Sequence, residues 1–97
     1  MNLYLISYDV STSTPAGRKR LRQVARLCED YGVRVQNSVF ECVMDYASFL
    51  MLKQKLEGII DSKTDSLRIY PMGRNKRDKI QHIGRQRAFD VEAPLII

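Results

Sequence analysis

The sequence predicts one α+β domain of the ferredoxin-like type, with the element order βαββαβ, an antiparallel sheet and both helices on one face. Three observations favour this fold class. The chain has 97 residues, which fits a single domain of ordinary size. Two stretches carry apolar residues at helical spacing, and the stretches around them are rich in β-branched and aromatic residues. The apolar fraction of 44% is ordinary for a globular protein, and no run of eighteen apolar residues predicts a membrane span.

The first half of the chain predicts a strand followed by a helix. Residues 2–9 are mostly apolar, which is typical of a strand buried on both faces in the middle of a sheet. The Ser and Thr residues before Pro15 are candidate caps for a helix that begins there. Gly32 is predicted to end this helix as its C′ residue. The apolar residues of the helix recur at spacings of three and four: Leu21, Val24, Cys28 and Tyr31.

The second half predicts two or three further strands and one helix. Residues 33–44 are rich in strand-forming types, but their alternation breaks at residues 36–38, so this stretch is either two short strands or one bent strand. Asp45 begins the second helix, which ends near Ile60. Residues 66–72 predict a last strand, in which Pro71 marks an edge or an end. The apolar stripe of the second helix consists of Phe49, Leu52, Leu56 and Ile59.

The tail after Gly73 has no obvious place in a four-stranded domain. We therefore divide the chain into a ferredoxin-like domain, residues 1–73, and a basic C-terminal segment with an apolar end, residues 74–97. A tail of this kind would be buried if it completed the sheet of a partner in a homodimer. The alternatives are a tail that folds back on its own domain and a tail that frays.

The positive charge of the chain favours a polyanionic partner. The net charge is +5 and the isoelectric point is near 9.5. Arg18, Arg22 and Arg26 lie at a spacing of four and so form one stripe on the predicted helix. This stripe would bind phosphates without sequence preference, and the alternative is that it is an ordinary solvated helix face. The first cluster comprises Arg18, Lys19, Arg20, Arg22 and Arg26, and the second comprises Arg74, Lys76, Arg77, Lys79, Arg85 and Arg87.

Asp9 is the best candidate metal ligand because it follows the first strand and precedes a loop of small polar residues. Mg²⁺ prefers oxygen ligands and often needs only one or two carboxylates together with phosphate oxygens. Two copies of Asp9 near a dimer axis would form a paired carboxylate site. The alternative is that Asp9 caps the turn or the following helix.

Other residues carry weaker signals. Ser38 could donate to a phosphate, and Phe40 could pack on a base or simply belong to the core. Cys28 and Cys42 lack metal or redox spacing and are predicted to be reduced core residues. His82 is the only histidine, which excludes a histidine-rich metal site within one chain. It is predicted to be a surface or interface residue, and the alternative is an acid or base that acts across a dimer. The start of the sequence has no signal-peptide pattern, which predicts a cytoplasmic protein with no membrane partner.

Several segments together resemble one family, the small CRISPR-associated adaptation protein known as CRISPR-associated protein two, and in particular its subtype I-C-like members. Any one segment is a weak signal, but their order and spacing over nearly the whole chain make the resemblance specific. The segments are YLISYDV at 4–10, RKRLRQVA at 18–25, YGVRVQNSVFEC at 31–42, DSLRIYPMG at 65–73, HIG at 82–84 and DVEAPLII at 90–97.

The resemblance implies a ferredoxin-like homodimer in which the C-terminal strand completes the partner's sheet. It also implies that Asp9 is the family's metal-binding aspartate at the dimer interface. The positions that match residues implicated around nuclease activity are Tyr8, Arg18, Arg20, Arg34 and Phe40, and Ser38 lies in the same motif.

The resemblance leaves two functions open. Family members are described as Mg²⁺-dependent endonucleases on RNA or duplex DNA, and others as a non-catalytic bridge between dimers of the CRISPR adaptation integrase. A toxin-like or regulatory RNA-binding module is a third alternative. We expect adaptation with metal-dependent cleavage, and nucleic-acid contacts from the basic residues Arg18, Lys19, Arg22, Arg26, Arg74, Lys76 and Arg77 and from Ser38.

Overall fold

The computed structural model describes residues 1–85, and its elements follow the predicted order. The polar interruption at residues 36–38 separates two strands rather than bending one. The last strand runs through Arg74, one residue beyond the predicted end of the domain. The elements are β1 (Asn2–Asp9), α1 (Pro15–Tyr31), β2 (Val33–Gln36), β3 (Val39–Met44), α2 (Tyr46–Ile59), β4 (Ser66–Arg74) and a short 3-10 turn (Arg77–Lys79).

The four strands form one antiparallel sheet in the order β2-β3-β1-β4. This is the predicted ferredoxin-like arrangement, with β1 in the middle. Ile6 lies opposite Phe40 of β3 on one side and Ile69 of β4 on the other. β1 carries the predicted burial on both faces, since Leu3 and Tyr4 point to opposite faces and both are buried.

Both helices cover one face of the sheet. Tyr4, Ile6 and Tyr8 of β1 pack in a single apolar cluster with residues of α1 and α2. The Tyr4 and Phe49 rings stack with their centroids 4.2 Å apart, which joins β1 to α2. Cys28 and Cys42 are buried and free, as predicted. The remaining buried members of this cluster are Val10, Val24, Phe40, Met44, Leu52 and Leu56.

Local sequence signals begin and end the helices. Thr14 caps α1 by accepting a hydrogen bond from the Gly17 amide, and Pro15 occupies the first turn. Asp45 caps α2 in the same way at Ser48. Gly32 ends α1, but its φ of −161° is extended rather than left-handed. Glycine is needed there because a Cβ would overlap the Cys42 sulfur and the Glu41 carbonyl oxygen of β3.

The chain after β4 crosses the face of the sheet that the helices leave open. Arg77 reaches Glu41 of β3, and His82 and Ile83 lie beside Val35 of β2. The first part of the tail therefore folds back on its own domain, which is one of the alternatives left open above. The predicted exchanged strand lies outside the described residues. Within residues 1–85, no helix is long and apolar enough to cross a membrane.

Candidate functional site

Asp9 lies at the carboxyl end of β1 with its side chain exposed. Its backbone pairs with Ser66 at the start of β4. The cap of α1 is Thr14, so Asp9 does not cap that helix. Among residues 1–85, no hydrogen bond or ion pair occupies the Asp9 carboxylate. The carboxylate is therefore available to a ligand from outside the chain.

The loop that follows Asp9 is held by Asp65. The Asp65 carboxylate accepts a hydrogen bond from the Ser11 amide at 3.0 Å and lies in an ion pair with Arg20, 2.8 Å from Nε. It also accepts from the Asp61 amide and the Thr64 hydroxyl. The hydrogen bonds from Arg20, in first place, and from these backbone amides hold the pKa of the Asp65 carboxyl well below its usual range. Asp65 is thus a charged anchor between the loop, α1 and the start of β4.

Gly17 fixes the same loop from the other side. It is buried in the first turn of α1, and a Cβ at this position would overlap the Ser11 carbonyl oxygen. The Ser11 amide therefore donates to Asp65, and the Ser11 carbonyl packs against Gly17 of α1. Sequence reasoning missed both Gly17 and Asp65, because each acts through a close approach that no local pattern encodes.

Tyr8, Arg34 and Phe40 come together at the same end of the sheet. The Tyr8 and Phe40 rings have centroids 6.2 Å apart, and the Arg34 guanidinium lies 5.2 Å from the centre of the Phe40 ring. The Tyr8 hydroxyl donates to the Asn37 carbonyl at 3.4 Å. Burial raises the pKa of the Tyr8 phenol, and the nearby positive charge of Arg34 opposes part of this rise. Tyr8 is therefore a neutral hydrogen-bonding group.

Phe40 is wholly buried and belongs to the apolar core. In this position it supports Tyr8 and Arg34 from beneath and presents no surface to a nucleic-acid base. Arg34 is only partly exposed, and it pairs with Glu29 of α1 at 3.4 Å. Ser38 is partly buried in the turn between β2 and β3, where its carbonyl accepts the Tyr8 amide.

The basic residues of α1 divide into two groups. Arg18, Lys19, Arg22 and Arg26 are exposed on the side of the helix away from its buried residues. Arg20 instead turns towards Asp65. Arg18 also donates to the Thr12 carbonyl at 3.2 Å, so it contacts the loop after Asp9 as well.

The second basic cluster divides in the same way. Arg74 and Lys76 are exposed, whereas Arg77 is paired with the buried Glu41. Arg77 is therefore placed to hold the tail against the sheet, whereas Arg74 and Lys76 face solvent, as do Lys79 and Arg85 of the same cluster. Arg87 lies outside the described residues.

The donor at Asp9 suits Mg²⁺, because it is a single exposed carboxylate oxygen ligand that leaves room for water and phosphate oxygens. Within residues 1–85, no three His, Cys, Asp or Glu side chains cluster around a common point. An exposed carboxylate of this kind could hold a hard cation such as Mg²⁺.

The family model for CRISPR associated protein Cas2 matches residues 1–80. The chain belongs to the Cas2 family. It is similar to the CRISPR-associated endonuclease Cas2 of Halalkalibacterium halodurans, with 53% identity over 94 residues that cover 97% of this chain and 98% of the relative. It is also similar to the CRISPR-associated endoribonuclease Cas2 of Nitratidesulfovibrio vulgaris, with 52% identity over 95 residues that cover 98% and 93%.

Solved Cas2 structures share the fold of this chain. A crystal structure of Streptococcus pyogenes Cas2 at pH 6.5 has a TM-score of 0.74 and 56% identity, over 84% of this chain and 99% of that one. A chain in a partial Cas6-RT-Cas1–Cas2 complex has a TM-score of 0.63 and 30% identity, over 86% and 90%. The family resemblance inferred from the sequence is confirmed, and the subtype I-C-like assignment stays a prediction.

Proposed function

We propose that this Cas2 chain is a Mg²⁺-dependent endonuclease of CRISPR adaptation that hydrolyses phosphodiester bonds in duplex DNA, single-stranded RNA or both, and that it acts as a homodimer. The exposed Asp9 carboxylate at the end of β1, which makes no hydrogen bond or ion pair within residues 1–85, is the observation that carries the proposal. The names of its relatives, endonuclease and endoribonuclease, support phosphodiester hydrolysis. The chain in the complex with Cas1 supports a place in adaptation.

Each group at the site would have its own task. Asp9 would hold the cation, and the cation would supply charge neutralisation at the phosphate and activation of water. The exposed basic stripe on α1 would bind the nucleic-acid backbone, since such contacts need charge but no base readout. Arg34, supported by Phe40, would place a positive charge at the Tyr8 end of the site.

The proposed homodimer rests on the open face of the sheet. The register places Leu5 beside Tyr70 on the face opposite the helices, and Met72 lies two residues further along β4, where the register with β1 shifts. Tyr70 and Met72 are 41% and 45% exposed. A second copy would cover this apolar surface and bring in a second Asp9. β4 lies at the edge of the sheet, where a C-terminal strand from the partner would find backbone groups to pair with.

The proposal is tested by cleavage of labelled duplex DNA and single-stranded RNA, with Mg²⁺ or EDTA. Wild-type protein is compared with Asp9→Ala and with Asp30→Ala, which removes an exposed carboxylate at the far end of α1. Cleavage that needs both Mg²⁺ and Asp9, and that persists in Asp30→Ala, supports the nuclease. Equal cleavage by all three proteins identifies a contaminant.

A second candidate function is a non-catalytic bridge between integrase dimers. The specific observation in its favour is the similarity to a chain in a partial Cas6-RT-Cas1–Cas2 complex. Such a bridge needs a rigid dimer with basic faces but no metal at Asp9. If no protein cleaves, and Asp9→Ala still co-elutes with the integrase and duplex DNA at the wild-type ratio, the bridge replaces the nuclease as the leading function.

A further inference from the structure

We propose that Asp65 is a positioning residue for Asp9, and that Arg20 acts by holding Asp65 rather than by touching nucleic acid. The proposal rests on the nuclease function proposed above and deepens it. It assigns a role to Asp65, which no sequence pattern indicated, and it separates Arg20 from the exposed arginines of the same helix.

Asp65 directly precedes β4, next to the residue that pairs with Asp9. Ser66 pairs with the backbone of Asp9, and Asp65 binds the amide of Ser11. Two adjacent residues therefore hold the backbone on either side of Val10, Ser66 before it and Asp65 after it. Val10 itself is buried, so the segment is fixed by packing as well as by hydrogen bonds.

Arg20 makes two hydrogen bonds to the Asp65 carboxylate. Its Nε donates to one oxygen of Asp65 at 2.8 Å, and a terminal nitrogen donates to the other oxygen at 3.3 Å. The same terminal nitrogen reaches the Thr64 hydroxyl at 3.3 Å. The Asp65 side chain is 0% exposed and that of Arg20 is 19% exposed. This two-point geometry fixes both side chains, since the guanidinium fork matches the carboxylate.

Arg22, two residues further along α1, differs from Arg20 in its exposure to solvent. Arg22 is exposed to solvent, where a phosphate could reach it. Arg20 faces a buried carboxylate that must keep its cation, because a buried charge that loses its partner is costly. A phosphate would have to compete with Asp65 for Arg20 but not for Arg22.

Gly17 of α1 restricts the loop on the side opposite Asp65. Gly17 abuts the Ser11 carbonyl, so Ser11 is held by its amide and its carbonyl at once. If the backbone at Ser11 could move, Asp9, two residues before it, could move as well. Small displacements of a reacting or ligating group reduce rates strongly. A more mobile loop should therefore raise the Mg²⁺ concentration that cleavage needs, without removing any contact to nucleic acid.

The first measurement is amide hydrogen exchange over residues 10–14, with neither metal nor nucleic acid present. The variants are Asp65→Asn, Arg20→Gln, their combination, and Arg22→Gln as a control on the same helix. Each of the first two should speed exchange about tenfold, because each removes a charge-assisted hydrogen bond. The combination should be no faster than the faster single variant, since both break one interaction. Arg22→Gln should match wild type.

The second measurement is the affinity for duplex DNA as a function of salt. Arg22→Gln should lower the slope by about 1, as expected for one lost phosphate contact. Arg20→Gln should keep the wild-type slope.

The third measurement is the Mg²⁺ concentration that gives half-maximal cleavage. It should rise several-fold in Asp65→Asn and Arg20→Gln and recover in part in Arg20→Lys, which keeps the charge. The core variant Met44→Ala lowers stability at the other end of β1, where Met44 pairs with Asn2, and should leave this concentration unchanged.

Unchanged loop exchange in Asp65→Asn would overturn the proposal, and so would a salt slope that falls as far in Arg20→Gln as in Arg22→Gln. If Asp65→Asn does not fold, Arg20→Lys weakens the same two-point contact and carries the same three measurements. If wild-type protein does not cleave at all, the nuclease proposal fails, while loop exchange and the salt slope still decide the role of Asp65.

Discussion

The Arg77 guanidinium donates to the Glu41 carboxylate at 2.6 Å across the face of the sheet that the helices leave open. Both side chains are nearly buried, with exposed fractions of 13% and 9%. Glu41 is the buried charged residue at the centre of β3, and Arg77 belongs to the turn after β4. This ion pair therefore holds the beginning of the tail against the sheet.

Arg77→Gln should destabilise the protein, because it leaves the Glu41 charge without this cation. The expected loss is roughly 3 kcal/mol in the free energy of unfolding, the usual cost of breaking a buried pair from one side. Urea denaturation at neutral pH measures it. The double variant Arg77→Met with Glu41→Leu should recover most of the loss, and an equally unstable double variant would contradict this explanation.

Arg22→Gln together with Arg26→Gln should weaken binding to duplex DNA by a similar factor across sequences. Both residues are exposed on α1 and, unlike Arg18, do not contact the loop after Asp9. The slope of log affinity against log salt should fall by about 2. The control is Lys53→Gln with Lys63→Gln, two exposed charges outside α1. An equal fall in that control would mean that net charge, not the α1 stripe, determines binding.

The stability of the protein should fall in acid, and Asp65 should account for part of the fall. The pKa of its carboxyl is lowered in the folded state, mainly by the hydrogen bond from Arg20. Its contribution is therefore complete above the unfolded carboxyl pKa of about 4 and is lost as the pH falls below that value. Urea midpoints between about pH 3 and pH 6 should decline less steeply in Asp65→Asn than in wild type. Parallel curves would contradict this linkage.

Replacing Gly17 and Gly58, each in a helix, with alanine should change the stability of the protein in opposite directions. Gly17→Ala should cost about 1–3 kcal/mol, because the new methyl group forces the Ser11 carbonyl away from the helix. Gly58 is exposed in α2, and nothing lies within 4 Å of a Cβ built there. Gly58→Ala should therefore stabilise the protein by about 0.5–1 kcal/mol through helix propensity. Thermal unfolding of both variants checks the signs, and a neutral Gly17→Ala would contradict the close approach.

The elements of the fold could be predicted because their signals are local. Thr14 and Pro15 lie side by side at the start of α1, and the apolar spacing of α1 and α2 repeats within each helix. Asp9 could be placed at a strand end for the same reason. The choice between one bent strand and two strands at residues 36–38 needed the structure, because it depends on how β2 pairs with β3.

The support of the site could not be predicted, because its contacts join distant parts of the chain. Arg20 and Asp65 are 45 positions apart, and Arg77 and Glu41 are 36 apart. The spacing of four places Arg20 outside the stripe of Arg18 and Arg22, but it does not indicate Asp65 as the partner of Arg20. Its orientation depends on where the turn before β4 lies relative to α1, which only the packed fold determines.

The central position of β1 also affects when the fold can form during synthesis. β1 leaves the ribosome before β3 and β4, and its second neighbour, β4, ends only at Arg74. Until that residue emerges, at least one edge of β1 is unpaired in the nascent chain. Non-local pairing of this kind slows folding and exposes the strand to aggregation. Folding of this domain can therefore be completed only after Arg74 has left the ribosome.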